Sequence, residues 1–216
     1  MENNNKKHKI ILENAKEIFY ELGYTNATMD KIAKRCGIQK QLITYYFATK
    51  FNLGQEVQND ISVNILSVFE RKGLEVGVTN TLITNAASAV WTSRYYKQDP
   101  HAHRFFNELI RYLLFNIDFI SSEKARHYHL SKIDFDKNSI EGELDYISSR
   151  YASRGILYHY CNGDINVDQD VFEKYYYYQV LRPYHADESF LESSYKEAID
   201  LLDRITIKIK PNFVIE

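Results

Sequence analysis

Near the start of the chain, Ile11, Ala15, Ile18, Phe19 and Leu22 recur at steps of three and four. That spacing puts them on one face of a helix from about Lys6 to Leu22. Gly23 follows where a helix end favours a left-handed residue. A second apolar face, Met29, Ile32, Ala33 and Cys36, begins after Thr28, a residue suited to cap a helix N-terminus, with Asp30 in the first turn. Gly37 ends it, and Ile38 is placed to fold back on that face. A third segment, about Gln39 to Tyr46, directs Ile43 and Phe47 one way and Lys40, Gln41 and Thr44 another.

From Phe51 to about Lys72, Leu53, Val57, Ile61, Ile65, Val68 and Phe69 keep helical spacing until "GLEVGVTN" breaks it. Further helices are expected over Asn80–Gln98, Pro100–Asn116, Asp118 to about Leu130, Ser139–Tyr160, Asp170–Leu181 and Glu188–Ile209. Pro100 suits a helix start. "KIDFDKN", "CNGDIN" and "RPYHAD" read as loops, and the alternation in "ITIKIK" has the period of a strand. Three prolines and eight glycines in 216 residues agree with a helical chain. The expectation is an all-α fold of about nine or ten helices. It divides into an N-terminal three-helix domain over residues 1–50 and a helical C-terminal domain over residues 51–216.

Two short helices around a glycine, within about 20 residues, form the helix-turn-helix pattern. In that arrangement the first helix crosses a nucleic-acid backbone, and the second lies in the major groove with its N-terminal residues at base edges. Charge sharpens this reading. Residues 1–50 hold nine Lys+Arg and five Asp+Glu, a balance of +4. The remainder holds 27−9=18 basic and 29−5=24 acidic residues, a balance of −6. A basic head on an acidic body suggests that only the head meets a polyanion. No run reaches the roughly 18 apolar residues of a membrane helix. Glu13, Lys16 and Glu17 interrupt any signal-peptide core, so a cytoplasmic protein is expected. Cys36 and Cys161 match no metal or redox spacing and read as reduced thiols.

The stretch "TMDKIAKRCGIQKQLITYYFATKFNL" resembles the DNA-binding segment of the TetR family of bacterial transcription regulators. That family's pattern is approximately T-x-x-x-I-A-x-x-x-G-V-S-x-x-x-L-Y-x-H-F-x-x-K-x-x-L. Thr28, Ile32, Ala33, Gly37, Ile38, Ile43, Phe47, Lys50 and Leu53 fall on it or on conservative variants. Ala15, Phe19, Gly23, Tyr24 and Thr28 match the family's preceding helix. The resemblance covers about residues 9–54. Departures concentrate on the groove-facing side: Gln39 stands where the family often has Ser, Gln41 where it has Gly, Thr44 where it has Tyr, and Tyr46 where it has His. Scaffold positions hold while reading positions differ, as a different operator sequence would require.

Residue roles follow as expectations. Lys40 and Gln41 reach bases, Lys favouring guanine O6/N7 and Gln favouring adenine N6/N7. Thr44 touches a thymine methyl or a phosphate, and Gln39 sits at the phosphate-facing end of the reading helix. Thr28, Tyr45, Tyr46 and Lys50 contact phosphates, which position without specifying. For Lys50 the alternative is a solvated charge or a helix-end interaction, for Tyr45 and Tyr46 it is core packing, and for Gln39 it is an idle exposed side chain.

The body is rich in aromatic residues: the chain has eighteen tyrosines and twelve phenylalanines. An aromatic helical body can enclose an apolar pocket with a few polar anchors. The resemblance implies a ligand-sensing and dimerisation domain there. Trp91, Tyr95, Phe106, Tyr112 and Phe115 are the pocket candidates, for a small apolar or aromatic ligand. The expected partners are pseudo-palindromic double-stranded operator DNA and a second copy of the chain, with Ser139–Tyr160 and Glu188–Ile209 as candidate interface helices. The stripe Leu191, Tyr195, Ile199, Leu202 and Ile205 suits either core or interface. His101/His103 and His127/His129 each sit at i, i+2, which turns the two rings to different helix faces and disfavours chelation. No metal, cofactor or catalytic constellation is expected. The leading expectation is therefore a non-enzymatic dimeric repressor released by a small molecule. The alternatives are a DNA-bound adaptor that recruits a protein, and an all-helical enzyme or lipid carrier.

Overall fold

A computed structural model describes residues 2–115, 140–181 and 187–216. Among these residues the chain forms nine helices: α1 (Glu2–Asn26), α2 (Met29–Cys36), α3 (Lys40–Phe47), α4 (Lys50–Glu75), α5 (Thr81–Gln98), α6 (Pro100–Phe115), α7 (Ile140–Cys161), α8 (Gln169–Leu181) and α9 (Glu188–Arg204). The helix expected over Asp118–Leu130, the "KIDFDKN" loop, the pair His127/His129 and residues 182–186 lie outside the described residues. The all-α expectation holds, and the apolar stripes explain why. Ile11, Ala15, Ile18 and Phe19 of α1 are buried, as are all six stripe residues of α4. Fully burying one such side chain is worth about 1.5–3 kcal/mol, so these stripes dictate which way each helix turns.

α1, α2 and α3 form the head, and α4 runs from the head into the body, packing on α1, α5 and α6. In the body α5 is central, with α4, α6, α8 and α9 against it. A buried ion pair ties α5 to α8: Arg94 Nε and Nη2 donate to the two carboxylate oxygens of Glu173 at 2.7 and 2.6 Å. Glu173 is only 1% exposed and also accepts from Gln169 Nε2. This fork geometry satisfies an otherwise costly buried carboxylate.

The last helix ends earlier than its sequence suggests. α9 stops at Arg204, where the guanidinium reaches the Val76 carbonyl, and Ile205 is already extended. Residues of "ITIKIK" alternate between partly buried and exposed. The strand β1 (Ile209–Lys210) then pairs antiparallel with β2 (Val214–Ile215). β-branched residues at every second position favour this over continued helix. α9 also faces the core. Ser194, Ala198 and Leu201 are buried on it, and Leu191, Tyr195, Leu202 and Ile205 pack against the same core. Four residues of the stripe thus rest half-buried on the core, with Ile199 half-exposed beside them.

The hairpin braces the molecule. Its turn holds Asn212 and Phe213 at φ 64° and 61°, a left-handed conformation unusual for a bulky residue. That turn drives the Phe213 ring, 3% exposed, between Tyr20 of α1 and Phe105 of α6, with ring centroids 5.1 Å away in each case. Ile215 is buried alongside, and its carbonyl accepts from Asn64 of α4. Phe213→Ala removes a ring that joins head and body. It should lower unfolding free energy by about 3–5 kcal/mol, read as a lower denaturation midpoint in urea with an unchanged slope.

Candidate nucleic-acid interface

The geometry of the helix pair follows from its caps. Thr28 Oγ1 accepts the Lys31 N–H at 3.2 Å and starts α2. Gly37 adopts φ 65°, ψ 32°, so its N–H donates to the Lys34 carbonyl and the Ile38 N–H donates to the Ala33 carbonyl at 3.1 Å. This is the paired bonding of a Schellman end, and it turns the half-buried Ile38 back on the core. A side chain at Gly37 would meet no atom within 4 Å, so backbone conformation alone demands glycine there. α3 then begins at Gln39, whose side chain makes no capping bond.

Ile43 and Phe47 of α3 are buried, as are Ile32 and Ala33 of α2. This leaves Gln39, Lys40, Gln41, Thr44 and Tyr45 exposed along the other face, Tyr45 by 73%. Lys40 Nζ rests 2.9 Å from Asp30 Oδ2 on α2, both groups well exposed. Thr44 Oγ1 donates to the Lys40 carbonyl at 3.3 Å. Tyr46 is half buried, its ring edge-on to Tyr45 at 5.2 Å and to His8 at 6.0 Å. Of the two tyrosines, then, Tyr45 points to solvent and Tyr46 packs partly on the head.

Lys50 departs from the expectation of a phosphate contact. Its ammonium donates to the carbonyls of Tyr24, Thr25 and Ala27 at 3.0, 3.3 and 3.0 Å. It also lies 4.4 Å from the centroid of the Tyr24 ring. Burial holds its pKa below the ordinary lysine value, with Glu108 pulling the other way. The helix-end role is the one this geometry describes.

Lys50 belongs to a larger junction at the end of α1. Gly23 interrupts that helix at φ 76°, ψ 173° and leaves carbonyls without intrahelical donors. Arg104 of α6 donates to the Tyr20 and Glu21 carbonyls at 3.2 and 2.7 Å. The His101 ring stacks on Tyr20 with centroids 4.5 Å apart, and its Nδ1–H donates to the Tyr20 carbonyl at 2.9 Å. Glu108 accepts the Thr25 N–H at 2.6 Å. A Cβ at Gly23 would come within 2.7 Å of Glu108 Oε2 and 2.9 Å of Arg104 Nε and push those side chains from their bonds to α1, while the backbone conformation itself favours glycine. The sequence motifs held Gly23, Tyr24 and Lys50 but gave no sign of their partners on α6. The signal available was Gly23 in one segment and a run of His, Arg and Glu in another.

The proposed pocket residues separate. Trp91 stacks on Tyr95 at 5.4 Å and meets Phe69 at 5.8 Å, and Phe106 joins through Tyr96 at 4.4 Å. Tyr112, 45% exposed, instead lies edge-on to Tyr24 at 5.2 Å, beside the junction and apart from the Trp91 group. The Phe115 side chain lies outside the described residues. His101 and His103 face different neighbours, α1 and the Cys161 carbonyl of α7. Burial pushes the Cys161 thiol up to about 12 and raises that of Cys36, so neither is an activated thiolate.

Comparison with known proteins gives a match over residues 11–57 to the family described as "Bacterial regulatory proteins, tetR family". No curated protein matches the chain. Among solved structures, a gamma-butyrolactone receptor (ArpA like protein) is similar at 13% identity, covering 94% of this chain and 100% of that one, with a TM-score of 0.40. HlyIIR, a hemolysin II transcriptional regulator, is similar at 16% identity over 95% of this chain and 99% of that one, with a TM-score of 0.33.

The Lys50 geometry carries its own test. Lys50→Gln should lower thermal stability by about 1–3 kcal/mol through the exposed carbonyl groups. It should leave the salt dependence of DNA binding unchanged, as measured by anisotropy over a potassium chloride series. The stretch that matches the TetR family of bacterial regulatory proteins, residues 11–57, is the one whose helix pair is built and capped as described.

Proposed function

We propose that the protein is a transcriptional repressor that binds a pseudo-palindromic operator as a homodimer and leaves it when a small apolar or aromatic molecule enters the body. The observation that carries this reading is the exposed row Lys40, Gln41, Thr44 and Tyr45 on a short helix whose opposite face is buried. A helix of that kind offers base-reading side chains to a major groove without unfolding its scaffold. Lys40 exchanges its Asp30 partner for a guanine edge, Gln41 reads adenine, and Thr44 meets a thymine methyl or phosphate. Thr28, Gln39, Tyr45 and Tyr46 flank them toward the phosphates. The division into a head over residues 1–50 and a body over 51–216 belongs to this proposal.

Two features of the body support ligand and dimer. The aromatic group Trp91, Tyr95, Tyr96 and Phe106 is accompanied by buried polar atoms with no partner, the Tyr95 hydroxyl and Gln58 Oε1. Such atoms are costly unless something satisfies them, and a ligand bearing one or two polar groups on an apolar frame does so. On the surface, Ile140 and Leu144 of α7 and Val171 and Tyr175 of α8 are each more than half exposed and each pair lies at i, i+4. Two such helices from each copy make a four-helix seam. The interface helices proposed here are α7 and α8.

The reading is tested by selecting bound duplexes from a random library and measuring affinity for the selected site and its single-base variants. Gln41→Ala should relax preference at one base pair per half-site, a loss of about 1–3 kcal/mol of discrimination, while the other positions keep theirs. Absence of any sequence-selective, salt-sensitive binding overturns the proposal. Separately, Val171→Lys with Tyr175→Glu should convert the dimer to a monomer in sedimentation equilibrium and weaken binding to the two-fold site far more than to a half-site.

A further inference from the structure

The nine basic residues of the first fifty are not equally available. Arg35 is held by Glu17 and Glu21 at 2.7 and 2.6 Å. Lys16 is held by Glu13 and Asp60. Lys31 Nζ donates to the Asn26 carbonyl at 2.9 Å, Lys40 pairs with Asp30, and Lys50 is enclosed by three carbonyls. Five cations are therefore tethered within the protein. Lys6, Lys7, Lys9 and Lys34 are exposed and make no such contact among the described residues. Lys34 stands alone on the last turn of α2. The other three fall within four residues on the first turns of α1.

Their position is fixed by His8 between them. Its ring stacks on Phe47 of α3 with centroids 4.7 Å apart, meets Tyr46 edge-on, and brings Nε2 to 3.0 Å from Glu56 of α4. The start of α1 is thereby docked against the end of the reading helix, on the side where Tyr45 and Tyr46 sit. The glutamates near this turn, Glu13 and Glu56, are engaged by Lys16 and His8.

We infer that Lys6, Lys7 and Lys9 form a second DNA contact, gripping the phosphates that flank the groove segment read by α3, and that they supply salt-dependent affinity which Lys50, enclosed by carbonyls, does not. This rests on the proposed DNA binding, and adds to it which residues neutralise phosphate. Each phosphate neutralised contributes about −0.9 to the slope of log K against log salt on B-DNA. Three lysines therefore account for about 2.7 of that slope per bound protomer.

The test uses the full chain and the selected operator duplex in a potassium chloride series. Lys6, Lys7 and Lys9 replaced together by Gln should flatten the slope by about 2.7 per protomer, with relative affinities for single-base operator variants unchanged. Replacing the same three by Arg should retain the slope, and Lys196→Gln on α9 should leave it as it is. An unaltered slope in the Gln variant, with its circular dichroism and melting temperature intact and wild-type selectivity present, overturns this inference and leaves the proposed function standing. A shifted base preference in place of a flattened slope overturns it too, because it assigns these residues to reading. Absence of selective binding by the wild type overturns both.

Discussion

The constraint on which the head depends is the broken end of α1. Gly23 leaves the helix with carbonyls that no residue of α1 can satisfy, and buried carbonyls must find donors. The donors come from elsewhere: Arg104 and His101 on α6 and Lys50 at the start of α4. A single defect in one helix therefore fixes the position of two others. Phe213 closes the same joint from a third direction, packing against Tyr20 and Phe105. α1 is joined to α6 through these charged hydrogen bonds and through a shared apolar core in which Phe19 packs on Phe105, so its orientation is tied to where α6 lies.

That joint changes how the charge of the head is understood. A balance of +4 over residues 1–50 suggests a broadly cationic surface. Most of these cations are tethered to groups of the protein itself. Lys50 serves carbonyls, Arg35 clamps α2 to α1, and Lys16 reaches Asp60 on α4. These groups hold the scaffold on which α3 is displayed. Of the cations without such a partner among the described residues, Lys6, Lys7 and Lys9 gather at one end of α1, next to the aromatic end of α3, and Lys34 stands apart on α2. Net charge and its placement are separate quantities, and only placement decides where a polyanion can dock.

Much of the architecture was legible in the residues. The stripes of α1, α2 and α4 predicted which faces are buried, because burial energy is roughly proportional to apolar area and helical period sets which residues share a face. Thr28 and Gly37 marked the two ends of α2 through local backbone chemistry. The exposed face Lys40, Gln41, Thr44 of α3 was legible for the same reason, as the polar complement of Ile43 and Phe47. Less legible was "ITIKIK", where β-branched alternation competed with the preceding helix and won after Arg204. The stripe of α9 looked the same for core or interface, since both are apolar.

The sequence by itself determined the helices, their caps and the two faces of the reading helix, because each depends on residues within a few positions of one another. Tertiary structure decided which partner each polar group received. Lys50 looked free for a phosphate until Tyr24, Thr25 and Ala27 presented their carbonyls to it. Tyr112 looked like a neighbour of Tyr95 until α6 placed it on Tyr24. Lys6, Lys7 and Lys9 had no distinction until the other cations were taken and His8 set them beside α3. The physical reason is range: periodicity and capping are local, whereas a hydrogen bond or ion pair joins residues that only the packed fold brings within 3 Å.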